Sequence, residues 1–447
     1  MGGPNLQDWG ETTGAWRPPT LPRFLRGVMG NPMPGPEKLM QTENTDYLII
    51  GAGIIGLALA RQLREKHPGK TVTMLEKEPD VAFHSSGRNS GVLHAGFYYT
   101  ANSLKARFTR DGNLALRQYC RENGLGLNEC GKVVVASGEA ELRSLYELEK
   151  RGAANGVDIR LIDAKELAEI EPNARTFEKA IYSPTTATVD PVEICASLKD
   201  RLLSSGVRIL FAEGYKALAG DNIIKTTAGR LIRAERVINA AGLYADRIAR
   251  DFGFSKNYVI IPFKGIYLKY SGEPAPLKVN VYPVPDLRNP FLGVHYTVTV
   301  DGHVKLGPTA IPAFWRENYG GFANFSAAEA VEVAGYEARL FFMNSFGFRR
   351  LALEEVRKYY RPFFVRLGQK LVNKLDASRF DQWTRPGIRA QLLNVETFEL
   401  VQDFVIEGDK ASTHILNAVS PAFTGSFPFT KWIVENHIDH EAVQGGL

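Results

Sequence analysis

The feature that most constrains this chain is a glycine-rich turn between a short apolar strand and a helix. Gly51, Gly53 and Gly56 have the spacing G-x-G-x-x-G directly after the apolar run Tyr47–Ile50. In such a turn the first glycine permits a tight bend and the second lets backbone approach a pyrophosphate. The third lets helix and strand pack closely. The turn therefore predicts the first strand and helix of a parallel α/β sheet.

The helix and second strand that follow complete a nucleotide-binding unit. Ile54–His67 places apolar side chains on one stripe of a helix, which Pro68-Gly69 ends. Thr71–Leu75 has the composition of a second strand, and Glu76 stands twenty residues after the third glycine. A helix N-terminus attracts phosphate, and an acid at this distance accepts hydrogen bonds from ribose hydroxyls. The segment 46–76 therefore predicts a bound dinucleotide.

Length, charge and cysteine content limit the class of protein. With 447 residues, 44% hydrophobic side chains and a formal net charge of +5, the chain is long enough for two large cores, and no nucleic-acid partner is expected. Cys120, Cys130 and Cys195 form no C-x-x-C pair, so we expect no metal site and a reducing compartment such as the cytoplasm. The longest apolar run, Leu48–Ala60, is too short to cross a bilayer, which predicts a soluble or peripherally membrane-associated protein.

Residues 1–44 differ in composition from the rest of the chain. They are rich in Gly, Pro and Thr and have no periodic apolar pattern, which predicts a mobile or loosely docked leader. Their arginines suit an organelle transit peptide, but Asp8, Glu11 and the many prolines disfavour an amphipathic helix.

Four further segments carry small or polar residues typical of loops over a large ligand. His84–Tyr99 reads HSSGRNSGVLHAGFYY, and an apolar strand over Arg236–Ala240 runs into a small-residue turn and a helix. Arg385–Gln391 and Asn417–Phe427 return to turns near the end of the chain. These separated segments predict a nucleotide domain assembled from distant pieces of the chain.

From Tyr258 onward the pattern changes to that of antiparallel sheet. Phe291–Val300 alternates between an apolar and a more polar face, and Asp301-Gly302 is a hairpin turn signal. Lys264 shares its face with apolar side chains, which predicts that this face lines a polar cavity.

The segment Arg339–Lys374 is helical in character, with an expected break at Pro362. It carries nine basic and two acidic side chains interleaved with aromatic ones. Two interpretations stay open at this stage: a surface that lies in a membrane interface, or a solvated helical hairpin whose aromatic rings pack on the sheet.

Several of these segments together resemble a known family. They are GAGIIGLALA, HSSGRNSGVLHAGFYY, NAAGLYADRIA, PFLGVHYT, PGIRAQ and NAVSPAFTGS, in this order between Asp46 and Ile433. They are similar to the FAD-dependent L-2-hydroxyglutarate dehydrogenases/oxidases, within the D-amino-acid-oxidase-like flavoprotein superfamily. The resemblance implies FAD as cofactor and oxidation of a small dicarboxylate, L-2-hydroxyglutarate, to 2-oxoglutarate. A quinone, another electron carrier or O2 would accept the electrons, and a membrane surface is a candidate partner.

The resemblance also implies a fold of two domains. A discontinuous Rossmann-like FAD-binding domain is expected beside an α+β substrate domain with a mixed or antiparallel β-sheet and helices. We assign 45–99, 185–254 and 385–440 to the FAD-binding domain, and 100–184 and 255–384 mostly to the substrate domain.

Two segments depart from the family pattern. PFKGIY carries Lys264 where an arginine is expected, and SPAFTG carries Phe423 where a small residue is expected. Both lie near the expected substrate site, so the departures concern the identity of the substrate more than the cofactor.

The residues expected to contact FAD come from the glycine turn, the acid that follows it and the three small-residue segments. They are Gly51, Gly53, Ile54, Ile55, Gly56, Glu76, Lys77, Ser85, Ser86, Asn89, Ser90, Gly91, Val92, Ala240, Ala241, Gly242, Pro421, Ala422 and Thr424.

The expected reaction needs a proton acceptor and positive charge beside the flavin. His94 and His295 are both candidate bases, because a neutral imidazole suits proton transfer near neutral pH. Arg389 is expected to clamp the substrate carboxylate with its planar fork. Lys264 is expected to bind the distal carboxylate, and Tyr98 to donate a hydrogen bond.

Three other functions stay open from the sequence alone. An amino-acid or amine oxidase of the same superfamily would use the same cofactor. A FAD-containing nucleic-acid-modifying or binding protein would use the basic segment 339–374, but nothing in the sequence resembles a nucleic-acid module. An NAD-dependent dehydrogenase would leave the second glycine-rich loop without a role.

Overall fold

The structure, a computed structural model, describes residues 42–101, 103–285 and 292–439. The predicted leader 1–44 therefore lies almost wholly outside the described residues. Its last two residues, Glu43 and Asn44, already belong to the first strand.

The described residues form twenty-two strands and ten α-helices. The strands are β1 Glu43–Ile50, β2 Val72–Leu75, β3 Val92–Leu93, β4 Leu127–Asn128, β5 Lys132–Val135, β6 Arg160–Asp163, β7 Lys179–Ser183, β8 Ala187–Val189, β9 Arg208–Leu210, β10 Tyr215–Gly220, β11 Ile223–Thr226, β12 Leu231–Asn239, β13 Tyr258–Gly265, β14 Leu268–Tyr270, β15 Asn280–Pro283, β16 His295–Val298, β17 Val304–Gly307, β18 Ile311–Pro312, β19 Phe380–Trp383, β20 Gly387–Asn394, β21 Val405–Gly408 and β22 Ser412–Asn417. The helices are α1 Ile54–Lys66, α2 Leu104–Glu122, α3 Glu139–Ala154, α4 Ala164–Ile170, α5 Pro191–Ser204, α6 Ala245–Asp251, α7 Ala327–Met343, α8 Phe348–Arg357, α9 Arg361–Gln369 and α10 Ser426–Ile433.

The first large sheet is built around β1, which lies between β12 and β2. These strands are parallel, as are β9 beside β2 and β22 beside the end of β12. The strands β10, β11 and β21 are antiparallel additions at the edges. The predicted parallel α/β sheet is therefore confirmed, and its strands come from three separated segments of the chain. The predicted domain boundaries themselves stay a prediction.

Both faces of this sheet are covered, which explains the continuous apolar run in β1. Ile49 packs with α1, α2, α5 and α10 on one face, whereas Leu48 and Ile50 pack with Ile248 of α6 on the other. A strand that is buried on both faces needs apolar side chains at successive positions rather than at alternate ones. Helix α2 lies in the segment 100–184 assigned mostly to the substrate domain, yet it packs against α10, which covers one face of the first sheet.

A second sheet of eight strands runs in the order β19-β14-β17-β16-β15-β5-β7-β6. All of its neighbouring strands are antiparallel except β15 and β5. The predicted hairpin is present between β16 and β17, where Gly302 has a positive φ of 79°. The mixed or antiparallel second sheet is thus as predicted.

A three-stranded antiparallel sheet, β18-β13-β20, carries the segment around Arg389. The prediction of a ligand loop over Arg385–Gln391 is wrong from Gly387 onward, because these residues pair in register with β13. Phe263 lies opposite Arg389 and Lys264 lies opposite Ile388. The glycine of this segment serves a close approach to another backbone, since a Cβ on Gly387 would lie 2.1 Å from the carbonyl oxygen of Arg88.

The basic segment 339–374 is mostly helical, and the predicted break near Pro362 is confirmed, because α8 ends at Arg357 and α9 begins at Arg361. A second turn, between α7 and α8, was not predicted, and there Asn344, Phe346 and Gly347 have positive φ angles. Pro362 lies in the first turn of α9. A proline costs little there because the first N–H groups of a helix have no intrahelical acceptor. Among the described helices, none has both the length and the hydropathy that a bilayer crossing requires.

Candidate active site

A cavity of about 880 Å³ opens at the carboxyl ends of the parallel strands of the first sheet. Its wall contains the residues that directly follow β1, β2, β12 and β22, and it continues to side chains of the second sheet and of β20. The carboxyl edge of an open parallel sheet is where ligands bind in such folds. One cavity therefore joins the nucleotide-binding edge to the second sheet.

The first glycine of the turn is required by the close approach of two strands. Gly51 has a φ of 102°, and a Cβ atom there would lie 2.6 Å from the carbonyl oxygen of Ala240. A Cβ on Gly53 would lie 3.0 Å from Ser86 Oγ. Both glycines line the cavity, so bare backbone faces the place where a pyrophosphate would lie.

The third glycine packs helix on strand, as its spacing predicts, but it lies away from the cavity. Gly56 does not line the cavity, and a Cβ there would lie 2.0 Å from the carbonyl oxygen of Gly51. The expected contact of Gly56 with FAD is therefore wrong. Its role is the close packing of α1 on β1.

The N-terminus of α1 lies at this cavity, and its N-cap residue offers no side-chain acceptor to the first N–H groups. Its N-cap, Gly53, has no side chain to accept a hydrogen bond, and the N–H of Ile54 donates to Ser86 Oγ at 2.9 Å. Ile54 and Ile55 line the cavity. A helix start of this kind fits the phosphates of a dinucleotide.

Glu76 lines the cavity and is held from two sides. It is 9% exposed, its Oε2 accepts from the N–H of Ala52 at 2.9 Å, and its Oε1 accepts from the N–H of Glu78 at 3.0 Å. Lys77, also in the lining, pairs with Glu317 at 2.8 Å. The carboxylate is therefore fixed beside the glycine turn, where ribose hydroxyls are expected.

The loop after β2 is folded by its own polar side chains. Asn89 Nδ2 donates to the carbonyl oxygen of Ser86 at 2.8 Å, and Asn89 Oδ1 accepts from the N–H of Gly91 at 2.9 Å. Ser85 Oγ donates to the carbonyl oxygen of Ile388 at 2.7 Å, which ties the loop to β20. The predicted loop residues that line the cavity are Ser85, Ser86, Asn89, Ser90 and Val92.

Gly91 is the exception in this loop. It lies off the cavity with a φ of 75°, and a Cβ there would lie 2.3 Å from the carbonyl oxygen of Val189 in β8. Its predicted contact with FAD is wrong because the glycine serves a close approach of two backbones instead.

The two remaining predicted segments lie in the wall as expected. Thr424 Oγ1 accepts from the N–H of His94 and donates to the carbonyl oxygen of Val92, both at 3.2 Å. This hydroxyl links the C-terminal loop to β3. The other predicted residues of the two segments that line the cavity are Ala240, Ala241, Gly242, Pro421 and Ala422.

His295 and His94 lie together in the part of the cavity that faces the second sheet. Burial is the main cause that lowers the pKa of each imidazole to about 3, so both are neutral near pH 7. His295 Nδ1 is 2.8 Å from the carbonyl oxygen of Gly293. Because a carbonyl can only accept, Nδ1 carries the proton and Nε2 keeps its lone pair.

His94 has a less defined tautomer. Its Nδ1 is buried and has no hydrogen-bond partner among the described residues. The structure therefore gives His295 a fixed acceptor atom and leaves His94 with an unsatisfied ring nitrogen.

Arg389 and Tyr98 line the same part of the cavity. Arg389 Nη1 donates to the carbonyl oxygen of Thr309 at 2.9 Å, which fixes one side of the guanidinium fork. Tyr98 is 9% exposed, and its hydroxyl has no hydrogen-bond partner among the described residues.

Lys264 is not brought to the cavity, contrary to the prediction. Its Nζ donates to Asn318 Oδ1 at 2.9 Å, and burial lowers its pKa. The lysine is satisfied by a buried amide on another segment, so its apolar neighbours in β13 did not signal a polar cavity.

Two tyrosines that the sequence reasoning missed also line this part of the cavity, Tyr267 and Tyr282. The ring of Tyr282 stacks on His295 with 3.7 Å between centroids, and its hydroxyl has no hydrogen-bond partner among the described residues. An aromatic residue in an alternating strand is a usual core residue, so the sequence held no local signal for this position.

Comparison with known proteins agrees with this geometry. A family model described as FAD dependent oxidoreductase matches residues 46–400. The L-2-hydroxyglutarate dehydrogenase of Escherichia coli (strain K12) is 35% identical over 402 residues, which cover 87% of this chain and 92% of that protein. The mitochondrial L-2-hydroxyglutarate dehydrogenase of Homo sapiens is 36% identical over 430 residues, which cover 91% of this chain and 92% of that protein.

Solved structures share the fold at lower identity. A dithionite-reduced L-alpha-glycerophosphate oxidase from Mycoplasma pneumoniae with FAD bound has a TM-score of 0.69 at 22% identity, over 88% of this chain and 94% of that chain. Glycine oxidase from Geobacillus kaustophilus has a TM-score of 0.63 at 18% identity, over 90% of this chain and 96% of that chain.

Proposed function

This chain belongs to the family of FAD-dependent oxidoreductases, and from that premise we propose that it oxidises L-2-hydroxyglutarate to 2-oxoglutarate. The observation that carries the proposal is the continuity of one cavity from the glycine turn to His295 and Arg389. The substrate is the one in the printed names of the relatives from Escherichia coli and Homo sapiens.

The residues that would hold FAD are those of the carboxyl edge of the first sheet. Gly51 and Gly53 give the pyrophosphate room, the start of α1 supplies N–H groups, and Glu76 offers acceptors to ribose. When bound, FAD supplies the chemistry of accepting two electrons and a hydrogen from the substrate carbon.

Arg389 would bind the carboxylate next to the reacting carbon. The hydrogen bond from Nη1 to Thr309 holds the planar fork in one orientation. A fixed guanidinium can grip a carboxylate through two parallel hydrogen bonds, which sets the angle of the substrate in the cavity.

His295 would take the proton of the substrate hydroxyl. Its Nε2 keeps the lone pair because Nδ1 donates to Gly293, and stacking on Tyr282 fixes the plane of the ring. The loss of the C2 hydrogen with two electrons and of the hydroxyl proton to His295 leaves the 2-oxo group. His94 is the second candidate acceptor.

The distal carboxylate would bind to tyrosine hydroxyls rather than to Lys264. The hydroxyls of Tyr98 and Tyr282 are buried, have no hydrogen-bond partner among the described residues and belong to side chains of the cavity wall. A carboxylate that accepts from both would satisfy two donors that are otherwise costly to bury.

The electrons would leave to a quinone at a membrane surface, rather than to another carrier or O2. On α7–α9, Phe342 is 77% exposed and Tyr360 is 68% exposed, near the exposed basic side chains Arg349 and Arg357. Exposed aromatic and basic side chains within one helical segment favour the interface of an anionic bilayer. Other rings of the segment, such as Phe364, are buried in the core, so the packing interpretation holds for them.

The substrate proposal is tested by mixing the purified protein with candidate donors in the absence of oxygen. We expect L-2-hydroxyglutarate to bleach the oxidised flavin, while D-2-hydroxyglutarate, glycine and sarcosine leave it unchanged. The reason is that an arginine and a base in fixed positions fit only one enantiomer of a hydroxy acid. Bleaching by an amino acid and not by L-2-hydroxyglutarate would establish the amine-oxidase alternative.

For Arg389→Ala we expect bound FAD to be retained and kcat/KM for L-2-hydroxyglutarate to fall by about 10²–10³-fold, since a charge-assisted clamp is lost. The matched control is Arg385→Ala, which removes an exposed arginine that does not line the cavity. Equal kinetics of the two variants would remove Arg389 from the substrate site.

For His295→Asn we expect flavin reduction by substrate to slow by about 10²–10⁴-fold, the range for loss of a general base. His94→Asn is the comparison and should slow it less. Stopped-flow absorbance of the flavin measures both rates. A reversed order of the two variants would assign the base to His94.

Membrane contact is tested with Phe342→Ser combined with Tyr360→Ser. We expect this variant to lose co-sedimentation with vesicles that contain anionic lipid, because it removes the two exposed rings. Leu203→Ser on α5, where the side chain is 45% exposed, is the control and should sediment like the parent protein. Sedimentation of all three proteins to the same extent would contradict the membrane proposal.

A further inference from the structure

Lys132, at the start of β5, is a fully buried cation behind the cavity. It is 0% exposed, and its Nζ has no hydrogen-bond partner among the described residues. The strand holds it between Ser183 of β7 and Asn280 of β15. Lys132 is not itself part of the cavity wall.

Three aromatic faces surround the ammonium. Nζ lies 4.4 Å from the ring centre of Tyr98, 4.6 Å from that of Phe97 and 4.9 Å from that of Tyr282. Tyr98 and Tyr282 also line the cavity, so a single aromatic layer separates the lysine from the proposed substrate. Aromatic faces attract a desolvated cation, but they replace only part of its lost hydration.

The groups that face Lys132 carry no compensating negative charge. Its pKa is shifted by burial alone, whereas Lys132 itself helps to lower the pKa of His94 and of His295 after burial. The other titratable or charged groups coupled to this cluster are the hydroxyls of Tyr99 and Tyr267, the thiol of Cys130 and the guanidinium of Arg389.

We propose that Lys132 is a positioning residue that takes up a proton when the dicarboxylate substrate binds, and so places a positive charge behind the tyrosine wall. The proposal rests on the proposed function, because it needs a doubly negative ligand in this cavity. Lys132 acts on the substrate through the field across Tyr98 and Tyr282 and without touching it.

The direction of the proton linkage follows from burial. Burial lowers the pKa of Lys132 to about 7, so its amine is partly neutral just above neutral pH. A dianion in the cavity favours the charged form and raises this pKa. Proton uptake is therefore expected between pH 7 and the raised pKa, and none is expected well below pH 7, where the lysine is already charged.

The histidines do not produce the same signal. Their pKa values of about 3 would have to rise by about five units for either ring to gain a proton at pH 8. A proton taken up at that pH is therefore assigned to Lys132.

The test measures the binding of 2-oxoglutarate to the FAD-loaded protein at pH 8 by calorimetry in buffers of different ionisation enthalpy. The parent protein should take up about half a proton per ligand, as expected if the pKa of Lys132 rises by about one unit. Lys132→Met should take up none and bind about tenfold more weakly at pH 6.5, with the difference shrinking as the pH rises. Lys132→Arg, which keeps the charge at every pH, should take up none and bind with an affinity that does not fall above pH 7.

The matched control is Lys305→Met. Lys305 is a second lysine whose pKa is lowered, mainly by burial, but it lies off the cavity and should leave proton uptake unchanged. If Lys132→Met does not fold, Lys132→Arg with the parent protein decides the matter.

The outcomes separate the two proposals. Binding of 2-oxoglutarate without proton uptake, or with uptake that persists in Lys132→Arg, overturns the role of Lys132 and leaves the proposed function in place. Failure of 2-oxoglutarate to bind, together with failure of L-2-hydroxyglutarate to bleach the flavin, overturns both.

Discussion

The contact on which the structure depends is the approach of the turn after β1 to the end of β12. The N–H of Ala240 donates to the carbonyl oxygen of Ile50 at 2.9 Å, and the N–H of Gly51 donates to the carbonyl oxygen of Leu75 at 2.8 Å. Three strand ends from two distant parts of the chain are thereby held together. A side chain at Gly51 would collide with backbone there, which cannot yield as a flexible side chain can. The edge that receives the nucleotide exists because this contact is made without a side chain.

The far end of the cavity is organised by burial rather than by ion pairs. Two neutral imidazoles, two tyrosine hydroxyls without a hydrogen-bond partner among the described residues and a lysine among aromatic rings are buried there. Such groups are expensive to bury unless a ligand satisfies them, because charge and hydrogen-bonding capacity are poorly screened there. The elements that carry these costly buried groups, chiefly the large second sheet and β20, are held in place by contacts elsewhere in the structure.

The local pattern of the sequence was enough to predict the nucleotide-binding edge. The observed β1, α1 and β2 agree with their predicted bounds apart from a few terminal residues, because strand, glycine turn and helix are encoded within one short segment. Lys132 and Tyr282 had no such signal. They come together behind the cavity wall only because β5 pairs with β15, and this pairing joins segments far apart in the chain. The prediction for Lys264 was wrong for a similar reason. Its partner Asn318 lies in a distant loop, which the alternation within β13 does not reveal.

The hydrogen bond from Ser85 to the carbonyl oxygen of Ile388 has a consequence for how the two ligands communicate. It joins the loop that borders the nucleotide edge to the residue before Arg389, and Arg88 Nη1 adds a hydrogen bond to the carbonyl oxygen of Pro386 at 3.3 Å. Anything that orders the loop lowers the entropic cost of ordering the arginine, and by reciprocity an occupied arginine tightens the loop. The apoprotein would thus bind the acid more weakly than the loaded enzyme, so binding of the cofactor before the substrate is the expected order of assembly.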